Sequence, residues 1–101
     1  MSYRSRYANE ETDLFFDAVL SLGSIEDCYR FFEDVSTIGE ITSLAQRFCI
    51  AKLLSEGKTY QEIETQTKAS TATISRVGRC LKYGADGYKN VIEKLSKTND
   101  I

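Results

Sequence analysis

The chain contains no histidine, no proline and no tryptophan. Without histidine it lacks the side chain that most often acts as a general base near neutral pH. No Gly-rich phosphate loop, paired-cysteine motif or acidic metal cluster stands in its place. Acidic neighbours such as Glu10–Glu11, Glu26–Asp27 and Glu33–Asp34 read as solvated helix faces and helix-start charges. An enzyme is therefore not expected, nor is a cofactor or a metal. No run of about 18 apolar residues occurs, so no membrane span is expected. The opening MSYRSRYANEE has no apolar signal core, and the cytoplasm is the expected location. Cysteines number only three, Cys28, Cys49 and Cys80, and lie far apart. They read as buried small hydrophobes in a reducing compartment, not as a disulfide frame.

What is present is helical spacing. A chain of 101 residues makes one domain near the low end for a self-sufficient core. No stretch alternates like a strand, so the fold class is all-α with six helices. The first helix runs from about Asn9 to Leu22, with Leu14, Phe15, Ala18, Val19 and Leu22 as its stripe and Gly23 as its stop. Ser24 caps the second, about Ile25 to Asp34. Thr37, with Glu40 at capping-box spacing, opens the third, which reaches about Glu56. Its apolar residues spread over most of its circumference: Ile41, Leu44, Ala45 and Phe48, then Cys49, Ile50, Leu53 and Leu54. Short neighbours in one small chain can barely cover such a helix, so a second copy is the expected cover.

Thr59 and Glu62 form a second capping box for a two-turn helix over Tyr60 to Thr67. Ser70 or Thr71 caps the fifth helix, which runs to Tyr83 and stops at Gly84. Asp86 or Gly87 begins the sixth, with Tyr88, Val91, Ile92 and Leu95 as its stripe, and the tail SKTNDI is expected to fray. In the fifth helix Ile74, Val77, Gly78 and Leu81 share one face. The remaining surface holds Thr71, Ala72, Thr73, Ser75, Arg76 and Arg79. Small side chains permit close approach to a DNA major groove, and Arg reaches guanine O6 and N7. A merely solvated helix more often shows Glu, Lys and Gln.

Charge follows the same division. The whole chain carries −2, yet residues 1–57 hold five basic and ten acidic groups, whereas residues 58–83 hold five basic and two acidic. Positive charge is concentrated where the helix pair resembles a DNA reader. The expected organisation is a flexible arm at 1–8, a helical dimerisation core at 9–57, a helix-turn-helix at 58–83, and a C-terminal helix and tail at 84–101. Within the arm, the basic and tyrosine-rich residues 2–7 read first as a loose tail and only second as a phosphate contact.

The segment from Leu53 to Lys82 resembles the tryptophan repressor without a gap, through Leu53, Leu54, Glu62, Ala69, Ala72, Thr73, Ile74, Arg76, Leu81 and Lys82. With FFEDVSTIGEI and YGADGYKNVIEKL, nearly the whole chain is similar to the TrpR-like YerC/YecD proteins of the Trp repressor superfamily. The resemblance implies an intertwined homodimer and operator binding; a repressor is expected, although the residues themselves do not set the direction of control. It implies DNA contacts from Thr59, Gln61, Thr71, Ala72, Thr73, Ser75, Arg76, Arg79 and Lys82, with Glu64 near the backbone. Twofold symmetry would place the recognition helices about 34 Å apart on a near-palindromic site of double-stranded DNA.

Two residues of the helix-turn-helix depart from the repressor, and three of the implied pocket do so as well. Lys68 replaces the usual turn Gly, at roughly 1 kcal/mol if the left-handed backbone is kept. Glu64 replaces a Lys that would meet phosphate. The implied effector pocket is Gln46, Arg76, Val77 and Cys80. There Gln46 replaces an Arg, Val77 a Gly and Cys80 a Ser, while Arg47 lies on a different face from Gln46. L-tryptophan is therefore not expected to bind; a small-molecule effector of another kind is left open. The competing reading is a helical dimeric adaptor that binds another protein of the transcription machinery without reading DNA. The acidic net charge, Glu64 and Lys68 favour it.

Overall fold

A computed structural model describes residues 3–98; the side chain of Thr98 and residues 99–101, where the tail was expected to fray, lie outside that description. Six helices follow in order: α1 Glu10–Leu20, α2 Ile25–Val35, α3 Ile38–Ser55, α4 Tyr60–Thr67, α5 Thr71–Tyr83 and α6 Gly87–Thr98. Among the described residues there is no strand. The chain divides into two compact units, Met1–Ile38 and Gly39–Ile101, a boundary that falls inside the expected 9–57 segment.

In the first unit, Asn9 caps α1 by accepting the Thr12 amide at 2.8 Å. The helix closes two residues before the expected Leu22. Ser21 donates its hydroxyl to the Ala18 carbonyl at 2.7 Å, and the Ser21 and Leu22 amides take i−3 carbonyls. A serine that bonds its own backbone competes with helix continuation. Ser24 caps α2 as expected, holding the Asp27 amide at 3.0 Å. Phe15, Phe31 and Phe32 gather between the two helices, with the Phe15 and Phe31 rings stacked at 5.8 Å. No residue of either helix is fully buried.

The second unit has a closed core. Ile50 and Ala51 of α3, Ile63 of α4, Ala69 of the turn, and Ile74 and Val77 of α5 are buried together, with Leu53, Leu54, Tyr88 and Ile92 packed around them. The outer stripe of α3 is left uncovered: Ile41 is 36% and Leu44 is 49% exposed. Phe48 turns toward Tyr88 of α6, with ring centroids 6.4 Å apart.

The cysteines are a correction. Cys28, Cys49 and Cys80 are all exposed. Successive helical residues are rotated by about 100°. Cys49 therefore lies to one side of buried Ile50, on the part of α3 that this chain leaves open. The odd count and wide spacing argued soundly against a disulfide frame but said nothing about depth.

Candidate nucleic-acid interface

Local chemistry builds the helix-turn-helix step by step. Gly57, at φ +85°, ends α3 in the left-handed conformation that glycine adopts without strain. The Thr59 hydroxyl then accepts the Glu62 amide at 3.1 Å, while the Glu62 carboxylate accepts the Thr59 amide at 2.8 Å. Both halves of the capping box are made. The bond from the Thr59 backbone, then that from its side chain, holds the Glu62 carboxyl below its ordinary value.

Helix α4 presents Ile63 to the core and ends at Lys68. Lys68 has φ 64° and ψ 14°, and its amide reaches the Glu64 carbonyl at 2.9 Å. The turn has kept the left-handed geometry of a glycine with a lysine in place. Thr67 ties it from both sides: its hydroxyl donates to the Ile63 carbonyl at 2.8 Å and accepts the Ala69 amide at 3.2 Å. Ala69 is buried, and Ser70 caps α5 by accepting the Thr73 amide at 3.2 Å.

Helix α5 turns Ile74 and Val77 inward. Gly78 lies where α4 and α5 come close: a Cβ there would sit 3.3 Å from the Tyr60 hydroxyl. Thr71, Ala72, Arg76, Arg79 and Lys82 are exposed, and Thr73 and Ser75 are half-buried. Thr59 and Gln61 of the α4 end are exposed as well. All nine expected DNA-contact residues thus have surface to offer. Thr73 is partly engaged, its hydroxyl 3.1 Å from that of Ser70. Arg76, Arg79 and Lys82 are in no ion pair among the described residues, and Glu64 is exposed on α4.

The four expected effector residues do not form a comparable group. Val77 is part of the core, Gln46 is half-buried, and Arg76 and Cys80 are exposed. Gln46 spends its side-chain amide on the Thr67 carbonyl at 3.2 Å. Tyr88 is drawn into this neighbourhood. Burial pushes its phenol upward, Cys80 adds to the rise, and the Arg47 and Arg76 guanidiniums oppose it. An open groove of about 800 Å³ runs past Lys52, Glu56, Leu81, Lys89 and Ile92 on the α3–α6 side, and none of the four lines it.

Three features were missed from sequence: the burial of Ala69, the packing of Tyr60 over Gly78, and the bond from Gln46 to Thr67. The first had a signal, a small apolar residue between two polar ones inside the turn. The other two are long-range and have no periodic mark.

Comparison with known proteins bears on this geometry. The family described as Trp repressor protein matches residues 10–96. The YerC protein of Bacillus subtilis (strain 168) is 55% identical over 89 residues, covering 88% of this chain and 86% of that protein. The crystal structure of a TrpR like protein from Eubacterium eligens ATCC 27750 superimposes with a TM-score of 0.84 at 54% identity, covering 86% of this chain and 90% of that one. A solved relative from Staphylococcus aureus gives 0.85 at 45% identity, over 87% and 88% of the two chains.

Proposed function

Because the chain belongs to the Trp repressor family, we propose that it is a homodimeric, sequence-specific DNA-binding transcription regulator, acting as a repressor. One observation carries the reading. The outer face of α5 offers Thr71, Ala72, Arg76 and Arg79 to solvent beside a turn fixed by side-chain bonds. Small residues let the helix axis approach base edges, and guanidiniums without ion pairs are free to fork onto guanine or phosphate. Gln61, Thr59 and Lys82 then fix the register on the backbone, and the hydroxyls of Thr73 and Ser75 add contacts once Thr73 leaves Ser70.

Dimerisation is the second half of the proposal. Ile38, Ile41 and Leu44 are exposed apolar residues on α3, and Leu14, Leu20 and Ile25 are exposed apolar residues of α1 and α2. So much apolar surface on a small chain is a signature of an interface. A second copy gives twofold-related recognition helices and a near-palindromic site. L-tryptophan is not the effector in this reading, because Val77 fills core volume and Gln46 brings no positive charge.

Selection from random DNA with the purified full chain tests this directly, run with and without cell extract. A near-palindromic consensus is expected. Affinity should fall steeply as salt rises, because bound phosphates release counterions. Arg76→Ala and Arg79→Ala should each lose about 1–3 kcal/mol of binding while keeping the helical content of the wild type. An adaptor that only binds protein would show no consensus and no salt slope.

A further inference from the structure

The bond from the Gln46 amide to the Thr67 carbonyl spans 21 positions of sequence. It lands where the recognition unit changes direction. The last carbonyls of a helix have no partner inside it. Thr67 is the final residue of α4, and the backbone reverses at left-handed Lys68 immediately after it.

From there two local bonds and one buried side chain lead along the backbone into α5. The Thr67 hydroxyl accepts the Ala69 amide, Ala69 is buried, and Ser70 accepts the Thr73 amide. The orientation of α5 is thereby referred to α3, the long helix of the same compact unit.

We propose that Gln46 is a positioning residue. From α3 it fixes the α4–α5 turn and so presets the orientation in which Arg76 and Arg79 meet DNA, with no small molecule needed to complete the link. The proposal rests on the DNA-binding reading above. A reader that visits several orientations binds with its affinity reduced by the fraction of time spent in the competent one. Gln46 is half-buried and acts through the turn, so its loss should change that fraction and leave the number of neutralised phosphates unchanged.

Gln46→Met keeps the length and removes the donor. Gln46→Glu keeps the shape and sets a carboxylate against the carbonyl. Both are compared with wild type as full chains of confirmed helical content. Amide exchange over residues 69–73 of the free protein should quicken about 3- to 10-fold, the range of one net hydrogen bond. DNA affinity should fall by a similar factor, with the slope of log affinity against log salt unchanged.

Unchanged exchange in both variants would overturn the proposal. So would faster exchange with wild-type DNA affinity, because the bond would then be structural only. If the wild-type chain binds no DNA, the functional reading fails and this role fails with it. If wild type binds and both variants bind equally well, this proposal alone fails.

Discussion

Along α1 and α2 no side chain is fully enclosed, and Leu20 and Ile25 stand 82% and 77% exposed. From α3 to α5, Ile50, Ile63 and Ile74 have no exposure at all. Both regions are rich in large apolar residues, so composition does not separate them. The difference is in what each region has to pack against. In the second unit, α4, α5 and α6 follow one another through short turns, and their inward faces meet over one segment of α3. In the first unit two helices share a phenylalanine cluster and little else. A pair of helices cannot enclose a side chain on all sides. The outer face of α5 therefore rests on a core that one chain supplies, whereas the N-terminal helices and, separately, the outer side of α3 leave large apolar side chains exposed.

Truncation in the two regions should expose that contrast most strongly. Ile63→Ala opens a cavity in a closed core and should cost about 2–5 kcal/mol of unfolding free energy by denaturant titration. The loss should not depend on protein concentration if the core belongs to one chain. If the proposed second copy covers Leu20, Leu20→Ala should cost more than the roughly 0.5 kcal/mol of an ordinary surface change; a loss within that range would show that Leu20 stays uncovered. A larger loss that deepens on dilution would show that a second chain covers it.

A charge on an exposed apolar residue of α3 asks the same question by another measurement. Ile38→Glu should convert a dimer into a single chain in sedimentation equilibrium, because a buried unpaired carboxylate is strongly unfavourable. The reader core should stay folded in that variant. A wild-type chain that sediments as a monomer would break the comparison, since both regions would then be stable without a partner.

Much of this contrast was legible in the sequence, though unevenly. Helix α4 was bounded to the residue: the capping box that opens it is a local signal, whereas the left-handed turn at Lys68 that closes it carries no glycine to announce it. The two-sided character of α3 was legible too, since helical periodicity reports which sides are apolar. Periodicity does not report which apolar side has a neighbour in the same chain. For that reason Leu14 and Leu22 read alike, yet Leu14 is 70% exposed and Leu22 half-buried. The cysteines failed in the same way. The exposed face of α5 was readable as a surface because its side chains are small, polar or basic, whereas Gln46 gave no sign of its bond to a residue 21 positions away.

Within the reader half, Lys68 sharpens the comparison from the opposite direction. Beside the closed core, exposed Lys68 stands in a backbone region that L side chains rarely occupy, at φ 64°. Lys68→Gly should relieve about 1 kcal/mol and raise the melting midpoint by roughly 4–8 °C. The helix-turn-helix should be unchanged in structure. No gain in the midpoint would mean that the turn relaxes around the lysine in solution.

The smallest expected effect is electrostatic and belongs to the same half. Glu62 and Glu56 both have carboxyls held below their ordinary values, the first by bonds from Thr59 and the second by the Lys52 ammonium at 2.7 Å. A carboxyl with a depressed folded-state pKa binds its proton more readily in the unfolded chain. Its stabilisation is therefore complete above the unfolded-state value of about 4.3 and is lost as pH falls through the folded-state value. Both groups are solvated, so the change should be slight. Glu62→Gln can still accept the Thr59 amide but cannot titrate. Its melting midpoint should lie a little below wild type near neutral pH, and the gap should close on acidification below about pH 4. A gap that persists there would show that the difference does not come from the charge of Glu62, and the acid sensitivity of this half would then rest on Glu56 and its Lys52 partner.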